Sequence, residues 1–476
     1  MKKNKEKWIS CYRVLLYIMP ATLYFSFWPW MNFGANGTMN FELSLPLIWL
    51  VVFDFFAFIL IMRKKLLGKI LEKWVWLLFP VFLTISILWS HDKLRSVLIM
   101  GVLWLLYFAV FSFYVLRKEI IDEKFLRIFL KIFFGTGILV CGWCLVQCVM
   151  DIIGVSQRCT LLCEGCVYRV FGFPHPNGFA AEPQFMGNLL IAPSIVSFYL
   201  VLKDKFFSRK SLLAMFFVFV ATLFLTLSRG AIYAFVAAMI LLTLVWGIKK
   251  NWKVMWVWAL IGLAFLFTLN LQGFFAEISK TDDTYVAGVS KAVNQLTLGI
   301  VDLGGSQVKK DDVEGMDNSL EDVSREEYSE QEELESEKAI FDGYVEVSTD
   351  NRIDAWRGAL KTWINNPATM LFGVGIGSGL ISMYENGTIA SSREIINNQY
   401  VSLLLESGVV GVILLILSLI LVFKVVYKKS DGLLIITLII AYMISLCFFS
   451  GLPNVLQIYL LPALFIVLCE KSSFHK

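Results

Sequence analysis

A few arginines, carboxylates and one histidine carry whatever chemistry this chain can do. Arg229 stands in the stretch ATLFLTLSRGAIYAF, between two strongly apolar runs and beside Ser228 and Gly230. The run before it, Leu212–Leu227, rises about 24 Å as a helix, less than the roughly 30 Å of a hydrocarbon core. The arginine is therefore expected at headgroup level or slightly below. It either snorkels to mark a helix end or grips phosphate oxygens, which the planar guanidinium takes in pairs. In INNQYVSLLLESGVVG, Asn398, Ser402 and Glu406 step by four into one polar stripe. An ionisable Glu406 inside an apolar segment should face the protein interior, as a functional group or as interhelical glue. In YRVFGFPHPNGFAAEPQF, Arg169, His175, Asn177 and Glu182 lie close together, and His175 is one of only three histidines. It is either a loop histidine in a Pro-Asn turn or a proton acceptor. Glu182 precedes Pro183, a residue suited to the first position of a helix.

The elements that must position these groups are apolar. Of 476 residues, 58% are hydrophobic and 17% charged, where a soluble domain carries about 25% charged residues. The chain reads as an all-α, polytopic integral membrane protein. Twelve runs suit spans: Val14–Trp30, Leu43–Met62, Trp74–Trp89, Val97–Leu116, Ile132–Met150, Met186–Leu202, Leu212–Leu227, Ala231–Ile248, Val254–Leu271, Tyr400–Phe423, Leu433–Phe449 and Pro453–Cys469. The first is long and lacks a small-residue cleavage site, so it reads as an anchor. With the basic N-terminus inside, the inner segments hold 27 of the 42 Lys and Arg and the short outer loops hold 5. Both termini are therefore expected in the cytoplasm. The net charge of +4 follows from this topology and suggests no nucleic-acid partner.

Three regions follow: a first bundle of nine helices (residues 1–271), one large extracytoplasmic loop (272–399), and three last helices with a cytoplasmic tail (400–476). Between Asp302 and Asp350 stand 17 acidic and 4 basic residues, a composition that reads as a solvated, disordered tract. DNRIDAWRGALKTWINNP then predicts an amphipathic helix over about 351–366, starting at Asp350 or Asn351 and ending before Pro367. Arg352, Trp356, Ala359 and Trp363 share one of its faces. The following FGVGIGSG is either a phosphate-approaching backbone or a plain flexible turn. Cys141, Cys144 and Cys148 recur along one helix and read as packing residues. Cys159, Cys163 and Cys166 fall in an outer loop where a disulfide can form, and their spacing with His175 does not suit zinc. Asp54, alone in its helix, reads as structural.

Taken together, these motifs resemble the O-antigen ligase and O-antigen polymerase family of bacterial membrane glycosyltransferases. LSRGAIYAF looks like its Ser-Arg-Gly junction. NRIDAWRGALKTWINNPATMLFGVGIGSG is similar to its loop signature, and NNQYVSLLLESGVVGVILL to its closing pattern. RVFGFPHPNGFAAEP is similar to its Arg-x-x-Gly segment with Pro-Asn. The resemblance covers roughly Arg169–Leu415. It implies a bacterial cytoplasmic-membrane enzyme with no metal, cofactor or nucleotide sugar, acting outside the membrane on undecaprenyl-pyrophosphate-linked glycans. The arginines carried over as pyrophosphate binders are Arg229, Arg352 and Arg357. Arg169, Asn177, Asn397 and Asn398 are carried over as glycan contacts. The family's ligases place a histidine where this chain has Asn397, so the base is left among His175, Glu182 and Glu406. The resemblance implies a polymerase of repeat units first, a ligase of finished glycan second, with membrane lipid, a flippase and a chain-length regulator as partners. A twelve-helix transporter is the reading from another class, although no internal repeat is visible.

Overall fold

The computed structural model describes residues 2–25, 29–33, 41–71, 74–153, 175–180, 182–203, 206–247, 253–278, 284–297, 344–389, 396–427, 431–449 and 455–471. Arg169, Cys159, Cys163, Cys166 and the acidic tract up to residue 343 lie outside them. The described residues are almost wholly helical. In chain order the helices are α1 (Lys2–Tyr24), α2 (Leu45–Arg63), α3 (Leu67–Leu71), α4 (Leu78–Ser86), α5 (Lys93–Ile120), α6 (Glu123–Ile152), α7 (Pro183–Lys203), α8 (Arg209–Leu225), α9 (Arg229–Gly247), α10 (Lys253–Ile278) and α11 (Tyr285–Leu296). They continue with α12 (Tyr344–Trp363), α13 (Pro367–Phe372), α14 (Gly379–Glu385), α15 (Gln399–Tyr427), α16 (Gly432–Ser445) and α17 (Gln457–Lys471). Six of these are long and apolar enough to cross a membrane, namely α2, α5, α6, α7, α10 and α15, and shorter apolar helices accompany them. Together they mark a multi-pass membrane protein.

Each of the twelve apolar runs contains helix, but two expectations need correction. The first run stops at Tyr24, and Pro29–Phe33 instead pairs antiparallel with Phe41–Ser44. Hydropathy could not foresee this, because aromatic residues suit a strand as well as a span. The third run is helical from end to end, an α-helix over Leu78–Ser86 between tighter 3-10 turns at Trp74–Leu77 and Ile87–Trp89. The loop helix begins at Tyr344 rather than at Asp350 or Asn351, so the acidic composition before it ends inside a helix.

Helix α7 is the centre of the bundle, with 94% of its most apolar window buried. It packs against α8, α9 and α16, and α6 packs on α8. Cys141, Cys144 and Cys148 are buried packing residues of α6. Away from Glu182, at its far end, α7 is locked to the start of α16. There the Tyr199 hydroxyl donates to Asp431 Oδ1 at 2.6 Å, and Lys203 Nζ lies 3.4 Å from the same oxygen. Asp431 is fully buried, and a buried polar group is costly unless it has such partners.

Helix α15 is not continuous. Gly408 has φ 61° and ψ −170°, a conformation open almost only to glycine. The kink frees the Leu405 and Glu406 carbonyls, which accept from Val374 N at 2.9 Å and Gly375 N at 3.0 Å. A Cβ at Gly408 would overlap the Leu371 carbonyl. Gly408→Ala is therefore expected to destabilise the protein by about 1–3 kcal/mol from backbone strain alone, with the clash added. Thermal melting of the purified protein in detergent checks this, and an unchanged midpoint would mean that α15 runs straight.

Candidate functional site

The Ser-Arg-Gly junction is built by a break between α8 and α9. Leu227 takes φ 47°, an uncommon value for a residue with a side chain, and turns the chain sharply. Ser228 N donates to Thr226 Oγ1 at 3.3 Å, and its carbonyl accepts from Ile232 at 2.9 Å. Arg229 becomes the first residue of α9 and is buried, with 7% of its surface exposed. The N-terminus of α9 adds its own positive end, since the first N–H groups of a helix have no acceptor within it. Two positive features thus coincide, the arrangement by which proteins hold anions.

Gly230 explains the third residue of the motif. A Cβ there would come within 2.6 Å of Phe448 Cβ, so only glycine lets the turn after α16 approach. Phe448 is the hub of this corner. Its ring lies 5.9 Å from that of Tyr233, and its carbonyl accepts from Gln184 Nε2 at 3.4 Å. Gly187, on α7, would place a Cβ 2.9 Å from Ala231 and 3.0 Å from Ser228. The first turns of α7 therefore press directly on the Arg229 junction. The start of α15 joins the same corner, with Gln399 N donating to the Leu446 carbonyl at 2.9 Å and the Tyr400 hydroxyl to the Met443 carbonyl at 2.7 Å.

Glu182 begins α7, its carbonyl accepting from Phe185 at 3.1 Å and Met186 at 3.3 Å. Burial raises its carboxyl above the ordinary carboxylate range, and the positive charge of Arg352 opposes that rise. Glu182 and Arg352 thus feel each other although they stand 170 positions apart in the chain. His175 is also buried, and desolvation lowers its imidazole to about 3. At neutral pH it is uncharged and a feeble proton acceptor.

The other sequence candidates have different surroundings. Asn177 is fully buried, with Oδ1 accepting from Gln147 Nε2 at 3.0 Å. The same Gln147 closes on Gly178, accepting from its N at 2.8 Å and donating to its carbonyl at 3.0 Å. Asn398 Oδ1 accepts from Tyr400 N at 3.0 Å and Val401 N at 3.1 Å, the role of a helix N-cap. Asn397 beside it is half-buried. Arg357 Nη1 donates to Asp354 Oδ1 at 3.1 Å with 71% of its side chain exposed.

The glycine run is neither a phosphate cradle nor a flexible turn. Gly373, Gly375 and Gly377 all have positive φ and are buried. Val374 and Gly375 donate to the α15 kink, Ile376 N donates to Ser86 Oγ at 3.1 Å, and Gly379 N to Glu406 Oε1 at 3.3 Å. Ser378 and Ser96 tie the run to the start of α5, Ser378 through Ser90 and Ser96 through the Ile376 carbonyl. Those amides serve the protein itself, and Glu406 serves them. Helices α3, α11, α13 and α14 went unread in the sequence. Helix α11 lies in the long loop and packs on α10, and the Tyr233 hydroxyl donates to its Leu296 carbonyl at 2.6 Å. The buried stripe Gly288, Ala292 and Gln295 at helical steps was the signal.

Residues 214–416 match the family model described as O-Antigen ligase. The matched span runs from α8 to the middle of α15. It contains Arg229, Arg352, Arg357, the glycine run, Asn397, Asn398 and Glu406, and it begins after the segment that holds His175, Asn177 and Glu182. No curated protein matches the chain.

Proposed function

We propose that this chain, which carries O-antigen polymerase and ligase family sequence over residues 214–416, is a polymerase of lipid-linked glycan repeat units. It works at the outer face of the bacterial cytoplasmic membrane, with twelve spans, both termini inside and residues 272–399 outside. The observation that carries the reading is Arg229, buried at the N-terminus of α9 in the corner that the start of α7 also forms.

In this reading Arg229 and the α9 N-terminus hold the pyrophosphate of an undecaprenyl-pyrophosphate-linked donor, with Arg352 as the second cation. An acceptor sugar hydroxyl attacks the donor's anomeric carbon. The new glycosidic C–O bond forms as the bond to the pyrophosphate oxygen breaks, and the electron pair leaves with the pyrophosphate. Charge neutralisation at that leaving group supplies most of the rate, because preorganised cations act where charge develops. The hydroxyl proton goes to Glu182. Burial makes this carboxylate more basic than usual, and the positive charge of Arg352 opposes that rise. His175 is too weak a base, and Glu406 Oε1 is engaged with Gly379. Asn177, Asn398 and Arg357 act through loop pinning, helix capping and a surface ion pair, and no metal or cofactor enters this scheme. A flippase that delivers the donor and a chain-length regulator are the expected partners.

The ligase reading stands second, since Asn397 occupies the position where the family's ligases place histidine. Purified protein given undecaprenyl-pyrophosphate-linked repeat units alone is expected to form a ladder spaced by one repeat unit. Transfer that appears only with a different added acceptor would replace polymerase by ligase. No transfer to any acceptor would sink both.

A further inference from the structure

Helix α11 is tied by a hydrogen bond to the helix that begins at Arg229. Tyr233, one turn along α9, is near enough for the arginine charge to act on its hydroxyl, and that hydroxyl holds the Leu296 carbonyl. Helix α11 also packs on α10. A Cβ on Gly288 would lie 2.5 Å from Ala276 Cβ and 3.1 Å from the Gln272 carbonyl oxygen. Gly288, Ala292 and Gln295 follow one another at steps of four and three, so Gln295 lies on the face of α11 that meets α10. Gln272 is fully buried and Gln295 is 7% exposed. Among the described residues, neither amide atom of Gln272 has a hydrogen-bond partner, nor does Gln295 Oε1.

Buried amides normally find partners, because losing water without replacement is unfavourable. What could answer them follows from their chemistry. The orphan atom of Gln295 is an acceptor, which a pyrophosphate made only of acceptor oxygens cannot satisfy at neutral pH. A sugar hydroxyl can, and adjacent hydroxyls on one ring can both donate to and accept from the amide of Gln272. We propose that Gln295 and Gln272 contact hydroxyls of the donor glycan next to the pyrophosphate site at Arg229, an inference that rests on the donor reading above.

The test compares two lipids on the full-length protein in detergent: undecaprenyl pyrophosphate, and the same lipid carrying a repeat unit. Gln295→Leu and Gln272→Leu keep the volume and remove the amide. Each variant is expected to bind the bare lipid as the parent does and the glycan-bearing lipid about tenfold more weakly, the effect of losing one or two hydrogen bonds. Melting midpoints should stay level or rise, since no protein hydrogen bond is lost. Unchanged affinity for the glycan lipid would overturn the inference and leave the amides to bound water. Equal loss of both lipids with a lowered midpoint would overturn it in favour of a structural role. A parent protein that binds neither lipid overturns the donor reading and this inference together, whereas a parent that binds both isolates the fate of the two glutamines.

Discussion

Arg229→Ala is expected to lower the rate of chain extension by about 100- to 1000-fold, while the protein stays in the membrane at parental levels. The magnitude is that of removing one preorganised contact to charge that develops in the transition state, roughly 3–4 kcal/mol. The position makes the contact strong: Arg229 is withdrawn from water, where screening is weak, and shares its place with the positive end of α9. Arg229→Lys separates the two roles an arginine can have here. A lysine snorkels as well as an arginine, so a residue that only ends a helix would tolerate it. Lysine keeps the charge but loses the planar fork, so a pyrophosphate site should stay clearly impaired. The measurement is polymer formed per unit time from purified lipid-linked repeat units. Near-parental rates from both variants would reduce Arg229 to a topological marker.

Glu182→Gln is the second large effect, a fall of about 100- to 10,000-fold from the loss of general-base catalysis. Its pH signature is specific. The base must be ionised to accept the hydroxyl proton, and burial raises the Glu182 carboxyl above the ordinary carboxylate range. Parent activity should therefore decline as pH falls through that raised value, earlier on acidification than an exposed glutamate would cause. Glu182→Gln should remove this acid limb along with most of the rate. Arg352 pulls the carboxyl the other way, so Arg352→Ala should move the limb to higher pH as well as weaken donor binding. Rate–pH profiles of the three proteins decide. A glutamine variant with a near-parental rate and an unmoved limb would transfer the base to another residue.

The sequence alone determined the helical membrane class and the placing of nearly every apolar segment. Hydrophobicity is a property of each residue that adds up over a window. Pro183 likewise announced the start of α7, because proline at a first helical position is a local preference. Only the tertiary structure decided what the polar groups do, since a polar group acts through its partner and the partners lie far off in the chain. Gly375 meets Glu406, Ile376 meets Ser86, and Ser378 meets Ser90, which turns a run of glycines into the seat of the α15 kink. Asn177 is claimed by Gln147 and Asn398 by its own helix, although both are as polar in sequence as any sugar contact. Desolvation follows the same rule. His175 and Glu182 are seven residues apart in one loop segment, yet burial weakens the first as a base and strengthens the second, because it disfavours whichever form of each is charged.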